Sequence, residues 1–353
     1  MTDILREDLE GIVADTCIEW EKYKNASFYI TGATGLVGSL LVKALVYANE
    51  AKDLNVKILI LARSLEKVAD VFGENYEAKG IQVVLGDIRT PVSLDEDVDY
   101  IIHAASVTAS KYMVTNPVET LMTSIEGTRN VLELAKEKRA KGMVYLSSME
   151  VYGRVEESMN PVSEDKLGYI DILNVRSSYS EGKRVCECLC ASYSQEYNVP
   201  VKIARLAQTF GAGVAKSEGR IFAQFAKSVL SRADIVLHTK GESCGNYCYT
   251  ADCVSAMLCL LTKGTNGEAY TVVNEETNIQ IKDMAQKVAT ELANDEIKVI
   301  YDIPESSLQY GYAPDTKMKL LGGKMCALGW NPKVGLMDMY RRMMKDWEWC
   351  DGK

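Results

Sequence analysis

The chain has 353 residues, 47% of them hydrophobic, which is enough to bury one large core or two modest ones. Its formal net charge of -9 argues against nucleic acid as the main partner, because phosphate backbones attract basic surfaces. Its charged N-terminus is unlike a signal peptide, and no apolar run reaches the roughly 18 residues of a membrane span. Ten cysteines without a C-x-x-C pair, together with only two histidines, argue against disulfides and metal and predict a cytoplasmic protein.

Residues 1–25 carry apolar positions at helical spacing and predict an amphipathic helix for packing or for homodimer contacts. Strand and helix signals then alternate as far as about residue 208. This alternation of buried β-branched runs with helices is typical of α/β proteins with a Rossmann-like, doubly wound parallel sheet. The predicted strands are 27–30, 56–61, 81–85, 100–102, 143–146 and 201–204, and the predicted helices are 40–48, 120–138 and 179–197.

A glycine-rich loop, TGATGLVG, follows the first predicted strand and precedes the first long helix. Gly32 allows the turn, Gly35 lets the backbone approach a pyrophosphate, and Gly38 permits close packing of the helix on the sheet. The helix N-terminus then offers free amide groups and a favourable dipole to the phosphates. The loop residues predicted to hold a dinucleotide are Gly32, Thr34, Gly35, Leu36, Val37 and Gly38.

Residues after the next three predicted strands extend this cofactor site. At the end of the second strand an NAD site usually offers an acidic residue to the ribose, and this chain has Arg63 there. Because arginine can pair with a 2′-phosphate, NADP is the predicted cofactor, in preference to NAD. Asp87, with Ile88 beside it, is expected to contact the adenine. Ala104 and Ala105 are small enough to let the cofactor lie against the backbone.

Tyr179 and Lys183 lie four residues apart in a predicted helix and therefore share one of its faces. A free phenol has a pKa near 10, but a neighbouring ammonium favours the phenolate. Ser148, after the fifth strand, can donate a hydrogen bond to the same substrate oxygen. These three residues predict proton transfer from an alcohol while a cofactor takes the hydride. His103 lies in an apolar stretch and is predicted to be a packed core histidine.

Eight motifs distributed along the chain carry a family resemblance. They are TGATGLVG at 31–38, GDIR at 86–89, HAAS at 103–106, YLSSMEVYG at 145–153, YSEGK at 179–183, ARLAQTFGAG at 204–213, YCYTAD at 247–252 and LGWNPKVGL at 328–336. Together they resemble an extended short-chain dehydrogenase/reductase of the nucleotide-sugar epimerase and dehydratase type. The resemblance implies that Tyr179 is the acid/base, that Lys183 is its partner and holds the nicotinamide ribose, and that Ser148 binds the reacting oxygen.

The resemblance also implies a domain organisation and a substrate class. Residues 26–208 are expected to form the NAD(P)-binding Rossmann domain after the 1–25 extension, with 246–265 returning to it. Residues 209–353 are expected to form mainly a smaller C-terminal substrate-binding lobe. The implied substrate is a nucleotide-diphosphate sugar. Many relatives hold its diphosphate with an arginine where this chain has Gly245. The substrate-binding residues expected instead are Ser106, Ser148, Arg220 and Arg232.

Glu150 narrows the choice of reaction. Relatives that are 4,6-dehydratases have Asp-Glu after the catalytic serine, and sugar-acid decarboxylases have Ser-Glu, whereas this chain has Met149-Glu150. The glutamate suits proton abstraction next to a 4-ketone, but methionine cannot act as the acid that expels a hydroxyl, so a full 4,6-dehydratase is disfavoured. We therefore predict an NAD(P)-dependent nucleotide-sugar epimerase/dehydratase that acts through a 4-keto intermediate, with decarboxylation left open. The alternatives are an NADPH-dependent ketone reductase and a non-enzymatic dinucleotide-sensing protein of the same fold.

Overall fold

The computed structural model describes residues 2–303 and 316–351, and a seven-stranded parallel sheet lies at its centre. Its inner strands are largely buried because helices cover both faces, and they are short runs of mainly apolar residues. The strands of the described residues are β1 (Ser27–Thr31), β2 (Lys57–Ala62), β3 (Ile81–Leu85), β4 (Tyr100–His103), β5 (Gly142–Ser148), β6 (Val201–Leu206), β7 (Gln208–Phe210), β8 (Ile235–Leu237), β9 (Cys244–Tyr249), β10 (Ala269–Val272), β11 (Asn274–Gln280) and β12 (Val299–Tyr301).

The order of strands in the central sheet is β10-β6-β5-β4-β1-β2-β3. The chain starts at β1, runs outwards through β2 and β3, and then crosses to β4 on the other side of β1. Thr31 at the end of β1 pairs in register with His103 at the end of β4. The loops that follow these two strands diverge, and a crevice at such a switch point is where doubly wound sheets bind ligands. The predicted Rossmann-like sheet is confirmed.

Helices cover both faces of this sheet. The apolar sides of α2 and α8 belong to the large core on one face, while α5 and α6 pack together over the other face. The α-helices of the described residues are α1 (Asp3–Val13), α2 (Leu36–Lys52), α3 (Leu65–Phe72), α4 (Ser110–Thr115), α5 (Pro117–Glu137), α6 (Ser177–Tyr197), α7 (Ile221–Ser231), α8 (Thr250–Lys263), α9 (Ile281–Ala293), α10 (Gly323–Ala327) and α11 (Leu336–Asp351).

The N-terminal helix α1 packs on α2, α8 and α11. Thr2 caps it, its side-chain oxygen accepting a hydrogen bond of 3.1 Å from the Leu5 amide. The buried Asp8 carboxylate accepts hydrogen bonds from the Tyr249 hydroxyl at 2.7 Å and from Arg342 Nη1 at 2.9 Å. These contacts attach the helix that was expected within residues 1–25 to the rest of the protein.

The chain after β6 builds two further small sheets and also returns to the central one. Strands β7, β9 and β11 form a three-stranded sheet, and β8 and β12 form a two-stranded one. Strand β10 adds the outermost strand of the central sheet beside β6. Within the described residues, no helix has the length and apolar character needed to cross a membrane.

Candidate active site

Three glycines that follow β1 occupy positions where a side chain has little or no room. Gly32 has φ +70°, and a Cβ there would lie 2.6 Å from the backbone of Ala104 and Ala105. A Cβ on Gly38 would lie 2.2 Å from the Gly32 carbonyl oxygen, and one on Gly35 would lie 3.3 Å from the same atom. The loop therefore folds tightly against the end of β4, as a backbone that approaches a ligand closely must do.

The first turn of α2 points its amide groups towards this loop. Gly35 is the N-cap in an extended conformation, and among the described residues no side chain caps the helix. The first turn carries no acidic residue, and its amide groups have no partners within the helix. The half-buried Thr34, Leu36 and Val37 border these groups. Uncapped amides at the positive end of a 17-residue helix fit the pyrophosphate of a dinucleotide.

The other predicted cofactor residues follow the carboxyl ends of neighbouring strands. Arg63 comes directly after β2, is exposed, and forms no ion pair within residues 2–303 and 316–351. Asp87 follows β3, and its Oδ1 accepts a hydrogen bond of 2.9 Å from the Arg89 amide. Ile88 packs against α5 at Gly127. All of them lie on the edge of the sheet that carries the glycine loop.

Tyr179 and Lys183 are both buried on the first turns of α6, and Ser148 ends β5 beside them. Burial raises the pKa of Tyr179 to about 12, and the charge of Glu150 adds to this effect, while a hydrogen bond from Ser148 opposes it. Burial lowers the pKa of Lys183 to about 8. Lys183 Nζ lies 5.8 Å from the centre of the Tyr179 ring. A half-buried hydroxyl therefore meets a buried phenol and a buried ammonium.

Glu150 lies on the short helical turn Met149–Tyr152, whose first amides are capped by Ser148. The Ser148 Oγ accepts a hydrogen bond of 3.2 Å from the Glu150 amide. The Glu150 carboxylate forms a bidentate ion pair with Arg176, with distances of 2.8 and 3.0 Å, and accepts a further bond of 2.8 Å from Ser180 Oγ. The carboxylate is thus held beside Tyr179 by three donors from the start of α6.

The predicted substrate-binding residues do not all come together. Arg220 is the residue before the first turn of α7, pairs with Glu218 at 2.8 Å, and lies near enough to Tyr179 for its charge to lower the pKa of that phenol. Arg232 is the C-terminal cap of the same 11-residue helix, so it lies roughly 16 Å away along the helix axis. Ser106 is half-buried in the loop after β4, where its Oγ is 3.4 Å from the Val107 carbonyl.

Comparison with known proteins decides the family. The sequence model of the NAD dependent epimerase/dehydratase family matches residues 28–274, which is more than half of the chain. The chain belongs to this family. Family membership confirms the predicted resemblance and the predicted enzyme class, with a nicotinamide dinucleotide as cofactor.

Individual members and neighbours are similar over most of the chain. UDP-glucuronic acid decarboxylase 6 of Arabidopsis thaliana is 28% identical over 324 residues, which cover 91% of this chain and 89% of the relative. UDP-glucuronic acid decarboxylase 1 of Danio rerio is 30% identical over 310 residues, which cover 87% of this chain and 69% of the relative. The chain is also similar to the solved structure of UDP-N-acetylglucosamine 4-epimerase from Methanobrevibacter ruminantium M1 in complex with UDP-N-acetylmuramic acid. The TM-score is 0.76 at 18% identity, and the match covers 93% of this chain and 99% of that structure.

His103 has the structural role in this epimerase/dehydratase that its apolar neighbours predicted. Its ring is buried, with Nδ1 2.7 Å from Thr31 Oγ1 and Nε2 3.1 Å from Thr128 Oγ1. Burial lowers the pKa of His103 to about 3, and the charge of Lys183 acts in the same direction. The imidazole is therefore neutral at physiological pH and fastens β1, β4 and α5 to one another beneath the site.

Sequence reasoning missed a buried ion pair directly behind the site. Arg205 on β6 donates to both carboxylate oxygens of Glu187 on α6, at 2.8 to 3.2 Å, and Ser147 Oγ donates to the same carboxylate at 2.5 Å. Glu187 lies one turn after Lys183, so the network fixes the helix that carries Tyr179. Helical spacing from Lys183 could have indicated Glu187. Its partner Arg205 lies on another element, and its identity required the fold.

Proposed function

We propose that this protein modifies a nucleotide sugar by first oxidising a sugar hydroxyl, at C4, to a ketone. The observation that carries the proposal is the cluster of the half-buried Ser148 with the buried Tyr179 and Lys183 at the carboxyl end of β5. The cluster lies on the same edge of the sheet as the glycine loop and the uncapped start of α2. A nicotinamide dinucleotide held there supplies the acceptor for a hydride and can later return it.

Each residue of the cluster has a distinct part in this step. Tyr179 takes the proton of the 4-hydroxyl as its carbon loses hydride, and Ser148 donates a hydrogen bond to the oxygen that becomes a ketone. The Lys183 ammonium stabilises the phenolate of Tyr179 through its charge. Water is excluded from the cluster because Tyr179 and Lys183 are buried, and this strengthens each of these electrostatic contacts.

Decarboxylation is the reaction that we propose after the oxidation, with UDP-glucuronic acid as substrate. In a sugar acid, a ketone at C4 stands β to the C6 carboxylate. The C5–C6 bond can then break, carbon dioxide leaves, and the electron pair moves into an enolate whose oxygen is bound by Tyr179 and Ser148. C5 next takes a proton that water supplies through Glu150. Hydride then returns to C4 and Tyr179 gives its proton back to the oxygen, so the cycle is redox-neutral. The names of the similar decarboxylases and the Met149-Glu150 pair support this choice.

We also propose that NADP binds more tightly than NAD. Arg63 is exposed at the end of β2 and has no carboxylate partner among the described residues, so it is free to pair with a 2′-phosphate. The segment 209–353 would supply most of the substrate contacts, and within it Arg220 is close enough to Tyr179 for its charge to act on that phenol.

A sugar panel tests the proposed function. The purified protein is incubated with UDP-, dTDP-, GDP- and CDP-linked sugars, including UDP-glucuronic acid, and the products are weighed by mass spectrometry. We expect UDP-glucuronic acid to lose carbon dioxide without net consumption of cofactor. Loss of water or an unchanged mass with altered stereochemistry would select dehydration or epimerisation instead. Stoichiometric oxidation of NADPH would contradict the redox-neutral cycle and identify a ketone reductase.

A further inference from the structure

The first turn of α6 surrounds the Glu150 carboxylate with donors. Arg176 Nη1 lies 3.0 Å from Oε2 and Nη2 lies 2.8 Å from Oε1, while Ser180 Oγ lies 2.8 Å from Oε2. A bidentate guanidinium fixes both the position and the plane of a carboxylate, which a single donor cannot do. The orientation of Glu150 is therefore determined by the helix that carries Tyr179.

Arg176 is itself held in place from the preceding loop. Its backbone amide donates a hydrogen bond of 3.0 Å to Asn174 Oδ1, and the Asn174 amide donates to the Asp171 carbonyl at 3.1 Å. The Ser177 side chain donates to the same Asp171 carbonyl at 2.7 Å. These bonds fix the residue at the N-terminus of α6, so the guanidinium lies with its central carbon 5.9 Å from the centre of the Tyr179 ring.

The charges that act on the Tyr179 phenol come from several elements. Glu150, on the turn after β5, raises the pKa of Tyr179, while Arg176 just before α6 and Arg220 just before α7 lower it. The ion pair of Glu150 with Arg176 therefore cancels much of a negative charge that would oppose a phenolate. Without Arg176 the Glu150 carboxylate would lose the contact that fixes its orientation, and its negative charge would no longer be balanced.

We propose that Arg176 is a positioning residue. Its bidentate ion pair holds Glu150 beside Tyr179 for the step that follows oxidation at C4. The inference rests on the proposed function, since it assigns Arg176 to the second half of that reaction. It predicts that Arg176 acts through Glu150 and makes no independent contribution to substrate binding.

Arg176→Lys and Arg176→Gln separate the geometry of the bond from its charge. Lysine keeps the positive charge but cannot form the bidentate contact, and glutamine loses both. With UDP-glucuronic acid we expect both variants to lower kcat by about 10- to 100-fold, the scale of a misplaced catalytic group, and to change KM only a few-fold. In Arg176→Lys, single-turnover reduction of the cofactor should stay within a few-fold of wild type.

A double variant tests whether the two residues act together. Because Arg176 acts through Glu150, Glu150→Gln/Arg176→Gln should be no more than a few-fold slower than Glu150→Gln. The pH at which cofactor reduction accelerates should be higher in Arg176→Gln than in wild type, and should return towards wild type in the double variant. Arg184→Lys is the matched control: Arg184 is on the same helix and donates to the carbonyls of Val151 and Gly168, so its change should leave this pH unaltered.

Several results would overturn the inference. A tenfold rise in KM at unchanged kcat would make Arg176 a substrate-binding residue. If the fold-loss of kcat in the double variant equalled the product of the two single losses, Arg176 would act independently of Glu150. Unchanged kinetics in both single variants would reduce the ion pair to a structural contact. Failure of the proposed function is seen separately in wild type, which would then neither reduce its cofactor nor change the mass of the sugar. That result would overturn both assignments.

Discussion

Lys183 follows Tyr179 by one helical turn, and its Nζ lies 5.8 Å from the centre of the Tyr179 ring. The ammonium donates a hydrogen bond of 2.6 Å to the Leu146 carbonyl and also faces the Tyr145 ring at 4.8 Å. Burial moves the two pKa values apart, to about 12 for Tyr179 and about 8 for Lys183, because it favours both neutral forms. At neutral pH the phenol is therefore neutral and the lysine is charged, which is the state in which the lysine can stabilise a phenolate as it forms.

Tyr179→Phe should leave folding and dinucleotide binding nearly intact and lower turnover by about 10²-fold or more, the range of a lost general acid/base. Steady-state turnover of UDP-glucuronic acid measures this. Tyr145→Phe is the matched control, because it removes another buried hydroxyl near Lys183 and should keep turnover within a few-fold. A Tyr179→Phe enzyme as active as the control would remove Tyr179 from the mechanism.

Lys183→Met should change the way that stability depends on pH. Below pH 8 the folded and the unfolded wild-type chains both hold the lysine proton, and the cost of burying the charge is present in full. Between about pH 8 and 10.5 only the unfolded chain retains it, so rising pH stabilises folded wild type. From pH 7 to 10.5, wild type should gain on the order of 3 kcal/mol relative to the variant. Denaturant unfolding across this range measures the free energy of unfolding of both proteins. A difference between them that stays constant with pH would contradict a buried, charged Lys183.

Arg63→Ala should weaken NADP binding by about 1–2 kcal/mol, the scale of a charge-assisted hydrogen bond, and leave NAD much less affected. Titration of both cofactors against wild type and variant measures the change. Wild type that binds NAD as tightly as NADP would show that the proposed cofactor preference is wrong.

Gly38→Ala should disrupt the dinucleotide site, because its Cβ would lie 2.2 Å from the Gly32 carbonyl and 3.0 Å from Ala33 Cα. Overpacking of this kind costs about 1–3 kcal/mol, and we expect it to appear as weaker cofactor binding and a lower Tm. Gly11→Ala is the control, since nothing lies within 4 Å of a Cβ there. Equal cofactor affinities in the two variants would exclude a role for the close contact between Gly38 and Gly32.

The sequence predicted most of the central sheet because its strands are short apolar runs that contrast strongly with the helices between them. The strand expected at 81–85 is observed at those bounds, and the helix expected at 40–48 is longer, Leu36–Lys52, because it starts directly at Gly35. Local patterns could not predict that β10 pairs with β6, because several other strands and two helices lie between them in the chain.

The same limit applies to the candidate site. Tyr179 and Lys183 are neighbours on one helix, so their spacing alone predicted that they share a face. The ion-pair partner of Glu150 could not be predicted from spacing. Arg176 lies 26 residues further along the chain and meets Glu150 only because the start of α6 packs on the turn after β5. Arg220 and Arg232 looked equivalent as cations, but the helix between them separates them.

The central claim is that hydride leaves C4 of the sugar and that a 4-ketone forms. The most direct measurement mixes cofactor-loaded enzyme with UDP-glucuronic acid that carries deuterium or hydrogen at C4, and follows the absorbance of reduced nicotinamide in a single turnover. The account predicts a transient rise in absorbance that is slower with deuterium, followed by a decrease as carbon dioxide is released and hydride returns. Product formation without this rise, at a rate that the label leaves unchanged, would contradict it.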